Sequence, residues 1–214
     1  MASEARASVG RVPGLFVTFE GIDRSGKTTQ AKLLVDALGG EAMGVREPGG
    51  TAAGERVREL LKDPAIDLSG EAEALLFAAA RAELVSQVIR PALVDGRVVV
   101  SDRFLDSSLA YQGAARELGI DEVAAVNALA TGGLRPDLTI LLELDHDEAF
   151  ARAGEEDRFE AEGAELQRRV AMAYEELAAV EPERWVRIDA NRPPDEVHAD
   201  VLAVVRAARA GAPA

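Results

Sequence analysis

Apolar residues gather in five short runs: Leu15–Glu20, Ala42–Arg46, Arg97–Asp102, Asp137–Leu144 and Arg184–Asp189. Within them VVVSD and LTILLEL are nearly continuous aliphatic rather than alternating. A strand covered on one face alternates apolar with polar positions, whereas a strand covered on both need not. These runs therefore predict strands buried on both faces. Longer segments with helical patterning separate them, over Thr28–Leu38, Gly70–Leu93, Ser107–Leu118, Asp121–Thr131, Asp147–Arg152, Ala164–Val180 and Pro194–Ala210. Ser69 is placed to cap the second of these, and Pro91 falls in its final turn or kinks it. Strands alternating with helices predict an α/β fold with a five-stranded parallel sheet, right-handed crossovers and helices on both faces. One domain over residues 14–210 is expected, with flexible ends at 1–13 and 211–214, no repeat and no linker. The polar stretch GEEDRFEAEG, within residues 153–163, is the candidate mobile lid.

Composition narrows the chemistry. The chain has 214 residues, and with 48% hydrophobic but only 4% aromatic residues its core must be mostly aliphatic. It has no cysteine, which excludes disulfides and thiolate metal sites, and only His146 and His198 as histidines. A net charge of −14 argues against general affinity for nucleic acid or an anionic membrane. Any anionic ligand must therefore be held by a local cluster of cations. No apolar run reaches membrane-spanning length, and the N-terminal stretch lacks the apolar core of a signal peptide. A cytoplasmic protein is expected.

The clearest motif follows the first strand. Gly21-Ile22-Asp23-Arg24-Ser25-Gly26-Lys27-Thr28 fits G-x-x-x-x-G-K-[ST], and it opens a helix as that motif requires. Glycines let the backbone approach phosphate, and the helix N-terminus adds partial positive charge. Lys27 is expected on the β- and γ-phosphates and the Thr28 hydroxyl on Mg²⁺, with Thr29 beside it. Arg24 is the odd residue, because a loop that binds phosphate through backbone N–H groups needs no guanidinium. The chain has no N-K-x-D element, so a GTPase is not indicated.

A second set of cations points to a second anion. Arg46 ends the second strand in REPGGT, and Arg103 follows the third in SDRF. Arg58 lies one helix later in GERVREL, and Arg81 closes LLFAAAR. Ligands of open α/β sheets bind outside the carboxyl ends of the strands, where Arg46 and Arg103 fall. Any one arginine could be a solvated surface charge, and Arg58 divides evenly between the two readings.

Taken in order, FEGIDRSGKTTQ, REPGGT, LLFAAAR, SDRFLDSSLAYQG, EEDRFE and RIDA make the chain resemble the thymidylate kinases from about Leu15 to Val205. The resemblance implies transfer of the ATP γ-phosphoryl group to dTMP with Mg²⁺, by a homodimer. It implies that Phe77 stacks on thymine, with core packing as its alternative, and that Arg81 bonds a thymine carbonyl from the same helix face. Arg103 would hold the dTMP phosphate, assisted by Arg46 and Arg58. Pro48, Ser107, Ser108, Tyr111 and Gln112 would line the nucleoside pocket, Tyr111 acting as a filter against a ribose 2′-hydroxyl. Asp102 would reach Mg²⁺ directly or through water. Asp23 would contact the deoxyribose 3′-hydroxyl or the metal's shell, or else only stabilise its turn. Ala190, after the last strand, would border adenine. The Glu47–Pro48 bond is a candidate cis peptide. For the dimer, the Gly70–Leu93 and Ser107–Thr131 helices are favoured.

Members of this family carry catalytic arginines either in the phosphate loop or in the lid. Here Arg24 stands in the loop, while the lid is short and acidic with Arg152 and Arg158 as its nearest cations. That resembles the loop-arginine type. Arg158 would face ATP or pair with Glu155 or Glu156. The alternatives to dTMP phosphorylation are a kinase for another nucleoside monophosphate or a deoxynucleoside, and a nucleotide-binding protein without activity. His146, His198 and Trp185 are given no site role, and the apolar stripe of Ala164–Val180 is read as core.

Overall fold

A computed structural model describes residues 14–145, 148–149 and 163–211. The five expected strands are present as β1 (Leu15–Glu20), β2 (Ala42–Arg46), β3 (Val98–Asp102), β4 (Leu138–Glu143) and β5 (Trp185–Asp189). They form one sheet in the order β2-β3-β1-β4-β5, with every pairing parallel. Helices α1 (Lys27–Leu38), α2 (Ala52–Lys62), α3 (Gly70–Leu84), α4 (Arg90–Val94), α5 (Leu105–Ser108), α6 (Ile120–Thr131), α7 (Gly163–Val180) and α8 (Pro194–Arg209) surround it.

Both faces of the sheet are covered, which accounts for the unbroken aliphatic runs. Val17, Phe19, Val98 and Val100 pack with α1, α7 and α8 through Leu34, Val170 and Val201. Phe16 and Val99 pack on the opposite face with Leu84, Ile89 and Phe104. Phe16 and Phe104 meet edge to face with centroids 4.8 Å apart, the arrangement favoured by aromatic quadrupoles. Ser69 caps α3 as expected, its hydroxyl accepting from the Ala72 N–H. Among the described residues no helix is long and apolar enough to cross a membrane.

Two expected helices are not regular. The segment expected as one helix over Gly70–Leu93 breaks into α3, a π-helical stretch Val85–Ile89, and α4 with Pro91 in its first turn. Proline lacks an N–H and its ring crowds the carbonyl four residues back, so a wider turn ahead of it relieves both defects. The Ser107–Leu118 segment starts earlier, at Leu105, and passes into a π-helical stretch Leu109–Ala115. Its Leu109 enters one core while Ala110 and Tyr111 enter the other. The helix expected over Asp147–Arg152 falls mostly outside the described residues, as do Arg152, Arg158 and His146.

Register aligns the functional ends of three strands. Arg46 pairs with Asp102 across β2 and β3, and Phe19 pairs with Asp102 across β1 and β3. The loops leaving Glu20, Arg46 and Asp102 consequently open side by side at one edge.

Candidate active site

The loop after β1 takes a form that its sequence makes possible. Gly21 has φ +139°, and a Cβ there would lie 2.6 Å from the Leu142 carbonyl oxygen, so only glycine fits. Gly26, the N-cap of α1, is left-handed at φ 95°. Arg24 also has positive φ, +64°, and is half-buried in the loop. Lys27 is buried, and its ammonium donates to the carbonyls of Gly21 (3.1 Å) and Ile22 (2.6 Å) and to the Ser25 hydroxyl (3.3 Å). Burial, then the Arg103 charge, lowers Lys27 to about 8.

Beside this loop lies a cleft of about 320 Å³. Its lining includes every residue expected to hold dTMP: Asp23, Arg46, Pro48, Arg58, Phe77, Arg81, Arg103, Ser107, Ser108, Tyr111 and Gln112. Arg24, Lys27, Thr28 and Asp102 reach it from the phosphate-loop side. Lys62 and Glu47 also line it, two residues to which the sequence assigned no role in binding. Seven cations and three carboxylates therefore share one cleft in a chain of net charge −14. The positive cluster that an anionic ligand requires is present.

The turn after β3 aims Arg103. Its φ is +69°, its N–H donates to the Phe19 carbonyl (3.0 Å), and its carbonyl accepts from Ser101 Oγ (2.6 Å). The guanidinium pairs with Asp23 and donates to Ser107 Oγ at 3.1 Å. Its carbon stands 5.2 Å from the centroid of the Tyr111 ring. Burial raises the Asp23 carboxyl, but Arg103 and Lys27 outweigh it and hold it below its ordinary value. Gln167 on α7 grips the same carboxyl, donating to Asp23 Oδ2 at 2.7 Å and accepting from the Asp23 N–H at 3.1 Å.

The REPGGT loop is tied by its own side chains. The Glu47–Pro48 bond is cis, and the Pro48 carbonyl accepts from Arg46 (3.1 Å) and Arg58 (3.0 Å). Arg46 also pairs with Glu55, which accepts from the Gly50 N–H at 2.7 Å. Arg81 is buried and donates to Glu47, Ser108, Asn127 and the Phe104 carbonyl. Together with a second bond to Glu47, this engages all five of its N–H donors inside the protein. A thymine carbonyl would have to replace one of those acceptors, and the Ser108 hydroxyl at 3.0 Å is the neutral one at the cleft wall. The Gln112 amide is held by Glu73 at 2.8 Å.

Thr28 Oγ1 donates to Asp102 Oδ2 at 2.5 Å. A hydroxyl and a carboxylate side by side at the mouth of a phosphate loop suit Mg²⁺, which takes few protein oxygens and completes its octahedron with phosphate and water. No group of three or more His, Asp or Glu side chains placed to hold a metal is found among the described residues. Trp185 is buried beside Tyr174, ring centroids 6.3 Å apart, and serves packing. Ala190 is buried, its N–H donating to the Glu143 carbonyl.

Sequence reasoning missed Glu20, Gln167 and Tyr174. Glu20 did leave a signal, a carboxylate between Phe19 and Gly21 at the end of an apolar run. Gln167 and Tyr174 lie on a helix far along the chain, and no local pattern connects them to the loop.

A parallel five-stranded sheet with a phosphate loop after its central strand, and a second anion cleft at the same edge, defines a P-loop kinase fold. Residues 19–201 match the sequence model of the family described as thymidylate kinase. The chain is 52% identical over 202 residues to a thymidylate kinase of Pelotomaculum thermopropionicum, covering 88% of this chain and 91% of that one. It is 47% identical over 198 residues to a thymidylate kinase of Deinococcus radiodurans, covering 90% and 96%. The crystal structure of thymidylate kinase from Ehrlichia chaffeensis superimposes with a TM-score of 0.75 at 32% identity, covering 90% of this chain and 98% of that one. The chain belongs to the thymidylate kinase family.

Proposed function

We infer that this enzyme phosphorylates dTMP at the expense of ATP, giving dTDP and ADP. A dTMP phosphate oxygen forms a bond to the γ-phosphorus while the bond from that phosphorus to the β–γ bridging oxygen breaks. The acceptor is already anionic at neutral pH, so no general base is required, and catalysis is positioning with charge neutralisation. The observation that carries this reading is the Arg103–Asp23 pair standing between the phosphate loop and a nucleoside-sized cleft.

In this reading the loop from Gly21 to Thr29 and Lys27 bind the triphosphate. Arg103, with Arg46 and Arg58, binds the acceptor phosphate. Phe77, Arg81, Ser108 and Gln112 recognise thymine, and Tyr111 excludes a ribose 2′-hydroxyl. Arg24 neutralises the transferring phosphoryl group. Thr28 and Asp102 would hold Mg²⁺, which supplies charge neutralisation on the phosphates when bound. Leu75 and Leu129, exposed on α3 and α6, favour a homodimer across those helices, a state that light scattering would measure.

Steady-state turnover across dTMP, dUMP, dGMP, dCMP and thymidine tests the assignment. The expected result is a clear preference for dTMP, and a preference for any other acceptor would overturn it.

A further inference from the structure

Glu20 ends β1 as a fully buried carboxylate, at 0% exposure, among groups that contact Arg103. Its Oε1 accepts the Phe104 N–H at 2.8 Å. Its Oε2 accepts both the Ser107 hydroxyl at 2.6 Å and the Tyr174 hydroxyl at 2.8 Å. The two hydroxyl oxygens lie 3.0 Å apart, and Arg103 Nη1 donates to both, at 3.1 Å and 3.4 Å.

The direction of these bonds matters. A hydroxyl has one proton to give and lone pairs to receive with. A carboxylate can only accept, so it draws both hydroxyl protons toward itself. Both oxygens are then left with only lone pairs facing the guanidinium. We propose that Glu20 is the positioning residue for the acceptor-phosphate site: by taking the Ser107 and Tyr174 protons it fixes both hydroxyls as acceptors for Arg103, and by holding the Phe104 N–H it fixes the turn from which Arg103 projects. This rests on the reading of Arg103 as the ligand of the dTMP phosphate.

The same geometry explains why a carboxylate is tolerated in a core. An ionised group buried without partners would cost far more than its hydrogen bonds return. Here it has three donors and the nearby Arg103 charge. Burial, with Asp106, raises the carboxyl to about 7, while Ser107, Arg103 and Tyr174 pull it down.

A glutamine in its place has the same shape and the wrong polarity. With its carbonyl kept on the Phe104 N–H, its amide would donate toward Ser107 and Tyr174. The hydroxyls would then turn protons toward a cation that is itself only a donor.

The experiment is Glu20→Gln, assayed at about pH 8 so that the wild-type carboxyl is ionised. Affinities for dTMP and, by competition, for thymidine are measured on each protein. Thymidine lacks the phosphate that Arg103 holds. The expected result is a loss of about tenfold or more for dTMP with thymidine and the ATP KM within about twofold of wild type. Equal weakening of dTMP and thymidine, or no change in either, would overturn the proposal, since a merely structural residue does not separate them. Should Glu20→Gln not fold, Tyr174→Phe keeps the ring and removes one of the two hydroxyls. It should weaken dTMP about threefold and leave thymidine unchanged. Its overturning results are the same. Failure of the wild-type protein to bind dTMP would instead sink the functional reading itself.

Discussion

Gln167, on a helix more than a hundred residues beyond the phosphate loop, grips Asp23 at both ends of the residue. Its amide nitrogen donates to the carboxyl at 2.7 Å, and its amide oxygen accepts the backbone N–H at 3.1 Å. The carboxyl so held is the partner of Arg103, and the Tyr111 hydroxyl also reaches the Gln167 oxygen at 3.5 Å. Truncation at Gln167 leaves the Asp23 N–H without that partner and takes one of the hydrogen bonds from the carboxyl that pairs with Arg103. Gln167→Ala is expected to lower kcat/KM for dTMP by roughly 10-fold while costing about 1 kcal/mol of stability. Kinetics with dTMP and a urea midpoint check both parts, and unchanged kinetics would remove Gln167 from the site.

Arg24 answers to a different test. It occupies the left-handed turn of the phosphate loop and lines the cleft where donor and acceptor phosphates would meet. A guanidinium there acts chiefly on charge that develops during transfer, an arginine finger supplied within the chain. Arg24→Ala is expected to depress kcat by about 10²-fold or more with little change in the dTMP KM. A rise in KM with kcat intact would make it a binding residue only.

The sequence disclosed the sheet, the loop and most of the cleft because those depend on local patterns. VVVSD and LTILLEL report burial on both faces, and REPGGT and SDRF place cations at strand ends by counting alone. It did not disclose groups brought in by tertiary packing. Gln167 and Tyr174 look like ordinary helical residues until α7 lies against β1. The π-helical stretches escaped for a related reason, since helical patterning specifies a buried face and not the pitch; Pro91 bears only on the first, Val85–Ile89. Arg81 could be placed by its spacing from Phe77, but the acceptors that occupy its donors come from the loop after β2, the turn at Phe104, α5 and α6.

Lys27 gives a prediction in pH. With burial and Arg103 lowering its ammonium to about 8, the free enzyme loses this charge as pH rises through that value. The kcat/KM for ATP reports the free enzyme and should decline above about pH 8. Bound triphosphate adds negative charge beside the ammonium and raises its pKa, so kcat should hold to a higher pH. Profiles of both quantities from pH 6 to about 10 check this, and a kcat/KM that stays level throughout would contradict it.

Glu20 should also leave a mark on stability. Its carboxyl is raised from 4.5 to about 7 in the folded protein, mainly by burial. Between those values the folded state retains a proton that the unfolded state has released. Stability therefore falls as pH rises from about 4.5 to about 7 and loses nothing more from this group above that. The shift sets an upper limit of about 3 kcal/mol for the loss. Asp23 has the opposite displacement and confines its own loss to more acidic pH, so a single protein's curve mixes the two. The difference between wild type and Glu20→Gln isolates the Glu20 contribution. Denaturant midpoints at intervals across that range should show wild type losing stability relative to the variant as pH rises. Parallel curves would mean that the carboxyl titrates near its ordinary value despite its burial.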